Sequence, residues 1–191
     1  MNYADVEAEL AATARDSGRA CGPCTACCTT MRVDALGKPA NVRCPHAGTG
    51  CGIYPTRPDE CRTYYCLWRL GVDEEDERPD RSGYHLSPQA HPGNPGDGVL
   101  ALFLLRSAAD VMLSPLTQEL LRQTLDEGVP VVIFRPDGYQ EIMWPDGWTQ
   151  AQVAEGWARC KIEEKKELAR QGLDAPPPME GGKSGWDRRS L

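Results

Sequence analysis

The stretch CGPCTACC, Cys21–Cys28, sets four thiols within eight residues, and the reading of its sulfur decides what kind of fold surrounds it. Eight of the nine cysteines in the 191-residue chain lie between Cys21 and Cys66, and the ninth is Cys160. A chain of this length can bury a core without staples. The opening segment MNYADVEAELAATARDSGR has neither the basic start nor the apolar centre of an export signal. A cytoplasmic location is therefore expected, and in a reducing compartment clustered cysteines serve as metal ligands or redox groups rather than disulfides. Nine is also an odd number, so any complete pairing leaves a thiol over.

The spacing points to metal. Cys21, Cys24, Cys27 and Cys28 read C-x2-C-x2-CC, and Cys44, Cys51, Cys61 and Cys66 follow. A C-x2-C step lets two thiolates turn back onto one ion, as in zinc tetrathiolate sites and iron–sulfur clusters. Adjacent side chains diverge, so Cys27 and Cys28 belong to different centres or one of them bridges. Cys61 and Cys66 raise the same question, because residues five apart on a regular helix point to different sides. Either they serve different centres or the helix breaks between them. A divalent ion with four thiolates carries a charge of about −2, whose burial needs compensation. Arg57, Arg62 and Tyr54, beside the later ligands, are the candidates for contacting the bound group from the second layer.

The same residues resemble a known family. CGPCTACC and CPHAGTGCGIYPTRPDECRTYYC are similar to the zinc- or iron-chelating CxxCxxCC cysteine-cluster domain, whose later part reads C-x-IY-x-x-RP-x-x-CR-x-[FY]-x-C. The matching positions are Cys21, Cys24, Cys27, Cys28, Cys44, Cys51, Ile53, Tyr54, Arg57, Pro58, Cys61, Arg62, Tyr64 and Cys66. The resemblance implies an eight-cysteine site for zinc or iron. Flagellin lysine N-methylases share the cluster, which implies an iron–sulfur centre and, remotely, a methylase-like activity. The chain shows no Gly-rich strand–loop–helix segment for S-adenosylmethionine.

Outside the cluster the composition narrows the choices. The formal charge of −7 disfavours nucleic acid as a partner, since phosphate binding needs a basic surface. The longest apolar run, VLALFLL at Val99–Leu105, falls well short of the roughly 18 residues of a membrane span. No protein partner is legible. Residues 1–17 read as an N-terminal helix with Val6 and Leu10 on one face, and 18–72 as a loop-rich cysteine module. Within that module a helix is expected from Pro58 to Leu70. Residues 73–98, which contain DEEDE and SPQAHPGNPGDG, read as an acidic, Pro/Gly-rich linker.

Residues 99–173 read as a small α+β part. Its strands are Val99–Leu105, VPVVIF and YQEIMW, with a turn at RPDG before the last. Ser114 and Pro115 open a helix with Leu116, Leu120 and Leu121 on its apolar face. Thr149 and Gln152 make a capping box for a last helix, on whose stripe Cys160 is a packed thiol. Residues 174–191 read as a disordered tail. The expected class is α+β, a metal-stapled cysteine module on a small sheet with flanking helices.

Other signals are declined. His46 reads as a loop histidine, and His85 and His91 lack the spacing of a Cys–His catalytic pair. GGKS at Gly181–Ser184 lacks the strand and earlier glycine of a phosphate loop. No catalytic residue is assigned. The expected function is metal binding, with an iron–sulfur redox enzyme and a metal carrier as competing classes.

Overall fold

The computed structural model describes residues 3–91, 94–138, 140–149 and 151–152. Helix α1 (Tyr3–Asp16) is followed by the cysteine module, with α2 (Cys27–Thr30), the hairpin strands β1 (Ala47–Gly48) and β2 (Gly50–Cys51), α3 (Asp59–Arg62) and α4 (Leu67–Leu70). Then come α5 (Pro79–Ser82), β3 (Tyr84–His91), β4 (Asn94–Leu104), α6 (Pro115–Asp126), β5 (Val131–Phe134) and β6 (Gln140–Met143). The class is α+β.

The main sheet has four strands in the order β3-β4-β5-β6, one more than the sequence led us to expect. The pairs β3/β4 and β5/β6 are antiparallel, while β4 and β5 run parallel. A parallel pair cannot be joined by a tight turn, and α6 supplies the crossover. Alternation gives each strand two faces. Tyr84, Leu86, Leu100, Leu102, Leu104, Val131, Ile133 and Met143 face one apolar core with Leu121 and Leu125 of α6, Leu67 and Leu70 of α4, and Ala14 of α1. On the opposite parity lie His85, Ser87, Ala101, Phe103 and Val132, all buried.

The segment expected as a linker is thus partly core. β3 lies within 73–98, and its Leu86 is fully buried. Its polar composition hid it: Pro88 and Gln89 are tolerated because β3 is an edge strand. Asp73, the first residue of the acidic run, is buried as well. Burial pushes its carboxyl up to about 6, with Glu77 adding to the rise and Arg19 opposing it. Arg19 donates to the carbonyls of Trp68 (3.0 Å) and Asp73 (2.7 Å) and lies over the Trp68 ring. This anchors the acidic run to the module.

Local signals elsewhere held. Ser114 caps α6 by accepting from the Thr117 amide at 3.0 Å, with Pro115 in the first turn. Thr149 and Gln152 form the reciprocal capping box, at 2.8 Å and 3.3 Å. The helix and stripe expected beyond them, Cys160 included, and the 174–191 tail lie outside the described residues. The expected helix from Pro58 to Leu70 is two short helices, α3 and α4, broken at residues 63–66. Among the described residues, no helix is long and apolar enough to cross a membrane.

The buried face of α6 also differs from expectation. Thr117, Leu121 and Leu125 face the core, whereas Leu116 is 39% exposed. Residues four apart share a helix face, so the sheet chose the 117–121–125 row. Leu121→Ala should therefore cost about 3 kcal/mol of unfolding free energy, and Leu116→Ala less than about 1 kcal/mol. Urea unfolding of the two variants measures the contrast, and equal losses would refute this assignment.

Candidate metal centre

Backbone turns gather the thiols. The Cys24 amide donates to the Cys21 carbonyl at 2.9 Å, closing the first C-x2-C step. The Cys44 amide donates to the Cys28 carbonyl at 2.8 Å, and Ala47 to Cys44 at 3.0 Å, so the second half of the motif is folded onto α2. Cys51 closes the β1/β2 hairpin opposite Ala47. Gly50 there has φ +123°, and a Cβ on it would stand 2.7 Å from the Gly22 carbonyl oxygen. Only glycine permits the hairpin to approach the first loop so closely.

The break between α3 and α4 settles the geometry of the last two cysteines. Cys61 is on α3, while Cys66 precedes α4 and its carbonyl accepts from the Leu70 amide at 3.2 Å. All eight cysteines from Cys21 to Cys66 are free thiols, Cys44 buried and the others half-buried. They line two adjoining cavities. Cys21, Cys24, Cys27 and Cys66 line one; Cys27, Cys28, Cys44, Cys51 and Cys61 line the other. Among the described residues, no three Cys, His, Asp or Glu side chains meet closely enough to hold one ion as they stand. The thiols form the walls of cavities rather than a closed tetrahedron.

Burial and mutual repulsion set the protonation of the thiols. Burial pushes the Cys66 thiol up to about 12, with Cys21, Cys24 and Asp73 opposing its ionisation further. Burial likewise raises Cys24 and Cys61. The Cys27 thiol donates to the Cys28 sulfur, which raises Cys27 well above the ordinary range and lowers Cys28 to about 7. Desolvated thiolates that repel one another hold their protons until positive charge arrives. A thiophilic cation supplies that charge and takes the deprotonated sulfur as ligand. The donor set, soft and almost purely sulfur, fits zinc or an iron–sulfur cluster.

The three second-layer candidates are bonded within their own loop. Arg57 donates to the Tyr54 carbonyl at 2.7 Å and the Cys61 carbonyl at 3.3 Å, and its guanidinium lies 3.7 Å from the centre of the Tyr54 ring. Arg62 donates to the carbonyls of Arg57 (2.9 Å) and Pro55 (3.3 Å). Arg57 reaches the wall of the second cavity; Tyr54 and Arg62 do not. These three residues brace the loop that presents Cys61. His46 is exposed, as a loop histidine should be.

Two residues that sequence reasoning passed over stand at the cluster. Lys38 is 4% exposed and lines the second cavity, donating to the carbonyls of Thr29 (3.2 Å), Met31 and Pro39 (2.9 Å). Nothing in GKP distinguishes it from a surface lysine; only its place between Cys28 and Cys44 hints at the role. His85 is buried at the wall of the first cavity. Thr30 Oγ1 is 2.8 Å from its Nε2 and the Tyr64 hydroxyl is 2.9 Å from its Nδ1. Thr30 also reaches the Ala26 carbonyl at 3.4 Å. The consistent assignment has Tyr64 donating to Nδ1 and Nε2–H donating to Thr30, with a neutral ring. Its other contact is a stack, His85 on Phe103 on Phe134, with centroids 4.7 and 4.6 Å apart.

No family model, curated protein or solved structure matches the chain.

Burial lowers the His85 imidazole to about 3. The unfolded chain binds this proton near pH 6.5 and the folded chain does not. The stability is therefore fully present above pH ~6.5 and drains as pH falls toward 3, by about 1.4 kcal/mol per pH unit at the steepest. Denaturant unfolding between pH 7 and 4 should give a steeper acid loss for the native chain than for His85→Phe. Parallel slopes would show that the imidazole is not held neutral.

Proposed function

We propose that this chain is a cytoplasmic metal-binding protein whose eight clustered thiolates hold zinc or an iron–sulfur centre. The observation that carries the reading is the convergence of all eight free thiols on two adjoining cavities within one loop-rich module. Ionising thiols this dense is unfavourable without a counter-charge. Their mutual opposition to ionisation is relieved by a cation. The likeness of the spacing to the zinc- or iron-chelating cysteine-cluster family agrees with this chemistry. It also keeps an iron–sulfur redox role, or a remote methylase-like one, within the proposal.

When bound, the group supplies positive charge and, if it contains iron, electron exchange. The chain's own residues do the rest. The short turns at Cys21–Cys24 and Cys44–Ala47 aim the sulfurs, and Lys38 sets a fixed cation beside them. Arg57 and Arg62 hold the loop carrying Cys61, and His85 ties α2 to the sheet through Thr30. A carrier function draws support from one feature, the partial exposure of seven of the eight thiols. A carrier surrenders its ion to a competing chelator and stays folded, whereas removal of a structural ion unfolds the module.

Anaerobic purification followed by an optical spectrum and elemental analysis tests the reading. A brown protein with iron and inorganic sulfide, or a colourless one with zinc, is the expected result; metal-free protein that stays so after reconstitution would sink it. Cys24→Ser and Cys61→Ser should each lower bound metal and Tm together. Cys160→Ser should leave metal content unchanged.

A further inference from the structure

The two cavities divide the cysteines in a way that the motif does not show. Cys21, Cys24 and Cys66 line the first cavity alone, and Cys28, Cys44, Cys51 and Cys61 the second alone. The two groups touch through the Cys27–Cys28 pair, whose side chains leave α2 about 100° apart. Cys27 lines both cavities and Cys28 only the second. The broken helix completes the division, because Cys61 enters one cavity and Cys66 the other.

The electrostatic settings of the two groups also differ. Lys38 lines the second cavity, its ammonium fixed by three backbone carbonyls and its charge acting most on Cys44 and Cys28 and less on Cys27 and Cys61, and Arg43 adds positive charge near Cys28. Beside the first group are two carboxylates, Asp80 near Cys24 and Asp73 near Cys66, and beside the second is one, Glu60, at the cavity wall near Cys61. Asp80 is paired with Arg78 at 2.6 Å. Arg69, at the wall of this cavity, turns its guanidinium to the Ala14 carbonyl at 3.2 Å.

We propose that the thiols form two separate four-thiolate centres, Cys21–Cys24–Cys27–Cys66 and Cys28–Cys44–Cys51–Cys61, and that Lys38 is chiefly the counter-charge of the second. The proposal rests on the metal-binding reading and adds its partition. Each thiophilic divalent ion that enters displaces to solvent the protons its four sulfurs still hold. The resulting tetrathiolate carries about −2. In the second centre the Lys38 ammonium offsets part of that charge, so that centre binds more tightly and fills first. The first centre, with two carboxylates beside it and, among the described residues, no ammonium at its wall, binds later and gives up its ion sooner.

Cadmium is a suitable probe, because its nuclear resonance reports the number of sulfur ligands. Reduced full-length chain, made metal-free and handled without oxygen, is titrated with cadmium. The outcome expected is two equivalents bound and two resonances of all-sulfur coordination, appearing in sequence. Cys61→Ser should abolish or shift the first to appear and Cys66→Ser the second. Lys38→Met should weaken the first-filling centre by about tenfold or more and the other, which it meets only through Cys27, clearly less. Lys38→Arg, which keeps the charge, should restore most of the loss and guards against a variant that merely misfolds. A single bound ion whose resonance responds to both Cys61→Ser and Cys66→Ser would overturn the partition while leaving metal binding intact. So would one multinuclear cluster bridged through Cys27. Equal weakening of both centres by Lys38→Met would overturn the role of the lysine. A chain that binds no cadmium at all would refute the metal-binding reading itself.

Discussion

The alternation of side chains along β3 is the constraint on which the architecture depends. Tyr84 and Leu86 point into the apolar core, and the intervening His85 and the following Ser87 point the other way, toward the cysteine module. His85 is gripped through both ring nitrogens by Thr30 and Tyr64, and Ser87 donates to the Tyr65 carbonyl at 3.1 Å. One edge strand thus joins a conventional hydrophobic core to a module with little apolar substance of its own. A slip of one residue would put the imidazole into the leucine core and Leu86 among the thiols. Both costs are large, so the register is strongly fixed.

This attachment explains how a loop-rich segment holds its shape around groups that repel one another. Four-residue helices and two-residue strands contribute little by themselves. Side chains that donate to backbone carbonyls take their place. Lys38, Arg57, Arg62, Arg43 and Arg19 each span a turn of the module or its exit in this way. The basic residues of the module serve as its hydrogen-bond framework, and Lys38 and Arg57 also reach the wall of the second cavity.

What the sequence revealed and what it concealed follow from the range of the interactions. The cap at Ser114, the box at Thr149 and Gln152 and the apolar runs of β4 and β5 are local patterns, and they were legible. The cysteine spacing is local too, and the eight thiols it singled out line the two cavities. β3 was not, because an edge strand needs only one apolar face and tolerates Pro88, so its composition resembles a loop. His85 and Lys38 were concealed for a different reason: each is a single polar residue whose burial depends on contacts 55 residues away for one and on chain folding back over α2 for the other. The grouping of the thiols depended on the helix break at residues 63–66, a tertiary event without a breaker residue to announce it.

The contact between Gly50 and Gly22 has a consequence for how this molecule can drift over generations. A methyl group on residue 50 would strike the Gly22 carbonyl oxygen, so that codon is locked to the smallest amino acid unless the first loop retreats, whereas Gly22 has room for a methyl and is held to glycine only by its φ of +54°. The stretch 40–43 is exposed, and Asn41, at φ +58°, is the residue there whose backbone is restricted. Divergence in this module should therefore accumulate in that stretch around Asn41, while Gly50 persists wherever the hairpin still packs on the first loop.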